Sequence, residues 1–310
     1  MIAHWDDVEG HFQEKGPMAA TWHRLGDAAG TKTVGVSRIR IEPGRLPTPP
    51  HSHGASEEIY FVLGGAGMAW QDDEVCDVRA GDCIVQVADH HEHTLRAGPN
   101  GLDVLVFGTR HPVEFGWLPR SKAVRLGYPW VEGRTDSPWE IEAEVGDLDF
   151  APPGPRPDNV VNLDELEQDE DGDKMLAEAA GSIASGLKWS LRGPDAELAI
   201  PHCHSAEEEV FVVLDGGGTL ELWPSPVPTA RGAKREQHEL RRGHVVARPP
   251  GTRVSHFIKA GAEGMSCLVY GTRDSNDIVY YPRSNKIAWR GVGLMGRIEN
   301  LDYWDGEPRH

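Results

Sequence analysis

Along the chain, apolar residues gather in short runs closed by Gly, Pro or Asp, not in long amphipathic stretches. Residues 34–41, 59–63, 83–87 and 102–107 form such runs, and 210–214, 245–247 and 266–270 are their counterparts in the second half. Their lengths and boundaries predict β-strands rather than helices. The 36 Gly and 23 Pro supply the tight turns an all-β chain needs. Gly64-Gly65-Ala66-Gly67 and Gly216-Gly217-Gly218 are followed by neither Lys-Ser/Thr nor a helical pattern, so they read as hairpin turns, not phosphate loops.

The pattern occurs twice. Ala28-Ala29-Gly30 returns as Ala179-Ala180-Gly181 and Pro50-His51-Ser52-His53 as Pro201-His202-Cys203-His204, both at an offset of 151. Further on, His93 faces His256, Gly108-Thr109-Arg110 faces Gly271-Thr272-Arg273, and Pro119-Arg120-Ser121 faces Pro282-Arg283-Ser284, at an offset of 163. The twelve additional residues (163 less 151) fall mostly in the Pro- and Arg-rich stretch 223–241, which reads as a longer loop. Between the copies runs Ala151-Pro-Pro-Gly-Pro-Arg-Pro-Asp158, a stiff spacer, followed by seven carboxylates from Asp164 to Asp173. The glycine there is misplaced for a calcium loop, so segment 158–173 is expected to be a solvated linker.

A net charge of −18 argues against nucleic acid or an anionic membrane as partner. No apolar run approaches the roughly 20 residues that span a bilayer, and the N-terminus lacks a signal pattern, so a cytoplasmic location is expected. Cys76, Cys83, Cys203 and Cys267 form no C-x-x-C pair, consistent with a reducing compartment. The expected partner is a small-molecule substrate, with a homodimer left open.

Residues two apart on a strand share a face, so His51 and His53 project together, as do His202 and His204, with Ser52 and Cys203 turned away. Glu58 and Glu209 follow five residues after the second histidine, and His93 and His256 stand at equivalent distant places. The sets His51, His53, Glu58, His93 and His202, His204, Glu209, His256 would each hold one divalent transition metal: Fe, Mn, Ni, Co or Zn. Three histidines crowd the first copy, His90, His91 and His93. The repeat selects His93, because Leu95-Arg96-Ala97-Gly98 matches Ile258-Lys259-Ala260-Gly261. His91 stays a candidate for contact with substrate or a ligand. Tyr60 shares the face of Glu58 and could donate to substrate, or simply be a core residue. Arg38 and Arg40 against Trp189, and Gln86 against Arg248, suggest pockets of different polarity.

Pro-His-Ser-His-(x)4-Glu-(x)6-Gly, ending at Gly65, resembles the first cupin motif, and Gly81-Asp82 through His93 a degenerate second one. The second half is closer to the pattern: His202, His204, Glu209 and Gly216, then Gly243 through Pro249-Pro250-Gly251 to His256. The resemblance implies an all-β fold of two tandem jelly-roll barrels related by internal duplication, with metal inside each. It divides the chain into an N-terminal extension (1–27), a first barrel (28–150), a Pro-rich acidic linker (151–175) and a second barrel (176–310). The function expected is a metal-dependent enzyme on a small organic substrate, an Fe- or Mn-type dioxygenase. The alternatives are a non-oxidative isomerase or decarboxylase, and a metal-binding protein without catalysis. Fold does not choose among them.

Overall fold

The computed structural model describes residues 1–89, 91–126 and 137–308. Strands dominate, and every pairing between them is antiparallel. In the first half, strand Glu58–Gln71 is bonded to Asp82–Gln86 and Glu74–Arg79 on one side and to His93–Thr109 on the other. Val34–Ile41, Met18–His23 and Gly10–Lys15 extend this sheet beyond His93–Thr109. The second half repeats the plan with Glu209–Pro224, His244–Arg248, Glu236–Arg241, Val254–Thr272 and Ser185–Arg192.

Strand alternation sorts the side chains. Tyr60 and Val62 enter the interior of the first barrel with Ile39, Ile84 and Val104, and Phe211 and Val213 enter the second with Leu220 and Ile258. The intervening Ile59, Phe61, Val210 and Val212 face the other way, into one apolar core shared by both barrels. At its centre Phe107 stacks on Tyr270, ring centroids 5.2 Å apart.

The two halves also exchange arms. Strand Ile2–His4 pairs with His244–Arg248 of the second barrel, while Val160–Asn162 pairs with Asp82–Gln86 of the first. Each arm covers a sheet edge that would otherwise present unpaired backbone groups. Segment 158–173 therefore departs from a purely solvated linker. Val160, Asn162 and Asp173 are buried, Asn162 donates to Asp82 Oδ1 at 2.6 Å, and Asp173 pairs with Lys188 and Arg192. Asp158 and the residues between these anchors, among them Glu167 and Asp171, stay in water.

A second tie between barrels is reciprocal. Buried Glu57 takes the backbone N–H of Ile183 (2.8 Å) and Ala184 (3.2 Å), with Ser182 Oγ and Ser185 Oγ at 2.6 and 2.5 Å. Buried Glu208, its equivalent at offset 151, takes the N–H of Lys32 (2.9 Å) and Thr33 (2.5 Å) and the Thr33 hydroxyl (2.8 Å).

The glycine stretches are not hairpin turns, a correction to the sequence reading. They lie inside the long strands Glu58–Gln71 and Glu209–Pro224, where the register shifts and the strand bends. Gly65 has φ +82°, and a Cβ on Gly67 would lie 2.2 Å from the Arg96 carbonyl oxygen, so close backbone contact explains the glycines. The additional residues of 223–241 lengthen a hairpin tip: where Asp72 and Asp73 link the first-barrel strands, the second barrel inserts helix Pro226–Ala230.

Candidate metal centres

In the first barrel His51 and His93 are direct partners in an isolated antiparallel bridge, exchanging backbone hydrogen bonds of 2.9 and 3.2 Å. That pairing brings their rings to 4.6 Å. His53 ends the short strand Ser52–His53, and Glu58 begins Glu58–Gln71. The Nε2 atoms of His51, His53 and His93 lie 3.9, 3.7 and 3.3 Å from a single atom, Glu58 Oε2. In the second barrel His202 pairs with His256, and the Nε2 atoms of His202, His204 and His256 lie 3.1, 3.3 and 3.0 Å from Glu209 Oε2.

One carboxylate oxygen offers about two lone-pair directions, too few for three imidazoles, and in the first barrel the Tyr60 hydroxyl donates to the same oxygen. The buried Nε2 atoms of His53, His204 and His256 make no hydrogen bond of acceptable geometry. A cation facing all four groups resolves this, and nitrogen donors with one carboxylate suit a divalent transition metal.

The far sides of four of the six rings are held as metal-bound histidines require, while the Nδ1 atoms of His53 and His256 have no hydrogen-bond partner. The Nδ1 atoms of His51, His93 and His202 lie 3.0, 3.0 and 2.7 Å from the carbonyl oxygens of Pro49, His91 and Ile200. His204 Nδ1 is 2.7 Å from Asp277 Oδ2, whose other oxygen accepts the N–H groups of Ser205, Ala206 and Glu207. His53 Nδ1 has Glu114 at 3.7 Å, and Glu114 accepts the Gly54 N–H at 3.1 Å. Burial, reinforced by neighbouring histidines, pushes His51 and His256 down to about 3, leaving neutral lone pairs. Burial opposes charge on His53 as well, but Glu114 and Glu58 outweigh it and push this group up to about 10. Glu209 and Asp277 do the same for His204, also to about 10. A metal must displace that proton.

Glu114 and Asp277 went unnoticed in the sequence, although the offset of 163 maps one onto the other between the matched Gly-Thr-Arg and Pro-Arg-Ser blocks. Tyr60 is buried beside Glu58, with its ring 6.1 Å from His93. The His91 side chain is half-exposed and stands away from the donors, its Nδ1 2.6 Å from Asp72 Oδ2. His90 lies outside the described residues. Arg38 does not enter a pocket: it pairs with Asp103 at 2.6 Å and covers the Trp5 ring. Gln86 and Arg248 do face their interiors, each directly across the ladder from the metal-facing glutamate.

The surroundings of the two centres differ. The first opens on a cavity of about 530 Å³ walled by Trp22, Thr48, Val106, Glu114, Leu118 and Trp139. In the second, Tyr281, the equivalent of Leu118, stacks over His202 with centroids 6.0 Å apart.

Comparison with known proteins agrees with this geometry. Residues 37–105 match the cupin domain family, a segment that runs through the whole first donor set. Residues 37–105 are thus similar to a cupin domain, and the second half repeats their fold. The matched segment falls on the first half even though the second half carries the fuller motif. An oxalate decarboxylase of Bacillus subtilis superposes with a TM-score of 0.60 at 13% identity, covering 92% of this chain and 80% of its own. The formate complex of the Lactobacillus farciminis oxalate decarboxylase gives 0.57 at 14% identity, with coverage of 88% and 86%. Among curated proteins none matches the sequence. No helix among the described residues of the chain is long and apolar enough to cross a membrane.

Proposed function

We propose that this chain is a bicupin and a metal-dependent enzyme whose first barrel is the working site and whose chemistry is redox-neutral, of the decarboxylase or isomerase kind. The observation that carries the reading is the opening of the His51–His53–Glu58–His93 donor set onto the 530 Å³ cavity. Four protein donors leave positions free on a six-coordinate ion, as a catalytic site needs. When bound there, a divalent ion supplies Lewis-acid polarisation of a substrate oxygen.

The chain's own residues do the rest. Tyr60, buried, fixes Glu58 by donating to Oε2. Glu114 lines the cavity beside the ring of His53, which holds its carboxyl below the usual carboxylate range despite burial. Trp22, Trp139 and Leu118 exclude water around an organic skeleton. The volume falls within the range of drug-sized ligand sites, so the substrate is larger than oxalate. Decarboxylation gains support over dioxygenation from the whole-chain likeness to oxalate decarboxylases, at an identity that speaks for the fold. The dioxygenase expected from sequence becomes the alternative.

The test is turnover by protein reconstituted with Mn(II) or Fe(II), offered oxalate and larger hydroxy- and keto-acids with and without oxygen. Product formation under strict anaerobiosis is the expected result. Oxygen uptake stoichiometric with substrate loss overturns it in favour of dioxygenation.

A further inference from the structure

The insertion that lengthens a hairpin of the second barrel also gives its tip a charge. Between strands Glu209–Pro224 and Glu236–Arg241 the chain carries Arg231, Lys234 and Arg235. Arg253 adjoins them, its carbonyl accepting the Ser225 N–H at 2.9 Å. All four side chains are exposed, and among the described residues none pairs with a carboxylate. The tip is held in shape before any partner arrives. The Arg235 guanidinium lies 3.7 Å from the centre of the Trp223 ring, and Glu221 accepts the Trp223 indole N–H at 2.9 Å. A surface already ordered loses less entropy on docking.

At the matching place of the first barrel the charge is reversed. Asp72, Asp73 and Glu74 form the shorter tip, with Asp89 and Glu92 in the loop beside it. At the offset of 163 the second copy has Thr252 and Ser255 in place of those last two. The Glu92 N–H donates to Asp72 Oδ1 at 2.8 Å, so the two acidic segments form one surface. His91 faces Asp72, while Asp73, Glu74 and Asp89 are exposed and form no ion pair among the described residues. Like charges crowded at each tip repel, and contact with a tip of opposite sign relieves both. Each tip also adjoins metal donors: Gln71 is paired with His93, and Leu222 with His256.

We infer that copies of this chain dock head to tail, the basic tip of one second barrel on the acidic tip of another copy's first barrel. The complementary surface is carried by the chain itself, at the equivalent place of its own repeat, which makes a second copy the partner. A contact between two different surfaces leaves one of each kind open, so it extends into a ring or a string and does not close as a twofold dimer. The net charge of −18 repels copies at a distance. At about 0.1 M salt the Debye length is about 10 Å, which screens remote charges and spares groups in contact. Docking sets the first centre of one copy beside the second centre of the next.

The test is sedimentation of the full chain at about 100 μM, a concentration that reveals a micromolar contact. In about 0.1 M salt the mass should exceed that of one chain, and in about 1 M salt, with a Debye length of about 3 Å, it should fall back to one. Two triple variants separate the surfaces. One is Arg231→Glu, Lys234→Glu and Arg235→Glu. The other is Asp73→Asn, Glu74→Lys and Asp89→Asn, in which asparagine suits the left-handed backbone at φ +69° and +57°. Each variant alone should associate about 10- to 100-fold more weakly, as several exposed ion pairs are lost or made repulsive. Mixed in equal amounts they should form a dimer of one chain of each and grow no further, because each supplies the intact tip that the other lacks. That recovery also shows that both variants are folded. A wild-type chain that stays monomeric in about 0.1 M salt overturns the proposal. So does association that survives in either variant alone, or a mixture that fails to form the mixed dimer.

Discussion

Removing Glu57 should loosen the opposite barrel more than its own. In Glu57→Ala, the N–H groups of Ile183 and Ala184 and the Ser185 hydroxyl lose their acceptor, while Ser182 keeps the Ser185 carbonyl at 2.6 Å. A buried donor left unsatisfied costs about 1–3 kcal/mol. Water can reach part of this loop, since Ile183 is 70% exposed, so the three together should cost about 2–4 kcal/mol rather than the full sum. For a chain of this size each kcal/mol moves Tm by roughly 2 °C, giving a drop of about 4–8 °C. Calorimetry measures the total, and amide hydrogen exchange locates it: protection should fall at residues 182–185, more than a hundred residues from the substitution. Glu208→Ala should mirror this at Lys32 and Thr33. A Tm shift below about 1 °C, or exchange confined to the mutated barrel, would refute the clamp as a source of stability.

Glu58→Ala and Glu209→Ala should each lose metal only from their own barrel by elemental analysis, and only Glu58→Ala should abolish turnover; loss of turnover in Glu209→Ala alone would move the working site. Asp277→Asn, which weakens the hold on His204, should lower metal affinity of the second barrel by about 10- to 100-fold in a chelator competition and leave the first unchanged. Gly67→Ala would drive a Cβ to within 2.2 Å of the Arg96 carbonyl oxygen and should lower stability by about 1–3 kcal/mol in urea unfolding, with metal stoichiometry intact.

The duplication was legible because ligands, turns and strand lengths recur at two fixed offsets, and the same repeat separated His93 from His91. What stayed hidden depends on where a residue reaches, not on what it is. Glu57 and Glu208 read as ordinary acidic neighbours of the metal glutamates, since nothing local shows that their carboxylates end in the other barrel. The arms Ile2–His4 and Val160–Asn162 are too short to register as strands, and their partners lie some 80 to 240 residues away. The glycine runs carry a true turn composition; only the close approach of Gly65 to Gly101 and Gly67 to Arg96 shows that a bending strand requires them. Arg38 and Arg40 could not be assigned a face until the parity of strand Val34–Ile41 was fixed by Val36 in the shared core and Ile39 in the barrel interior.

Strand alternation also explains how the two copies could diverge. Glu57 and Glu58 are consecutive, so one side chain must reach across to the second barrel while the next faces the metal donors, and Glu208 and Glu209 repeat the arrangement. A one-residue slip here would exchange clamp and ligand together, which ties the inter-barrel contact and the metal site to a single register. Positions with neither duty are free to change. Gln86 against Arg248 and Leu118 against Tyr281 occupy equivalent places on the interior walls, and they set the charge and the opening of each site. The duplicated scaffold is held by what the barrels share, while the chemistry that distinguishes them rests on a few wall positions one strand away from an unchanged donor set.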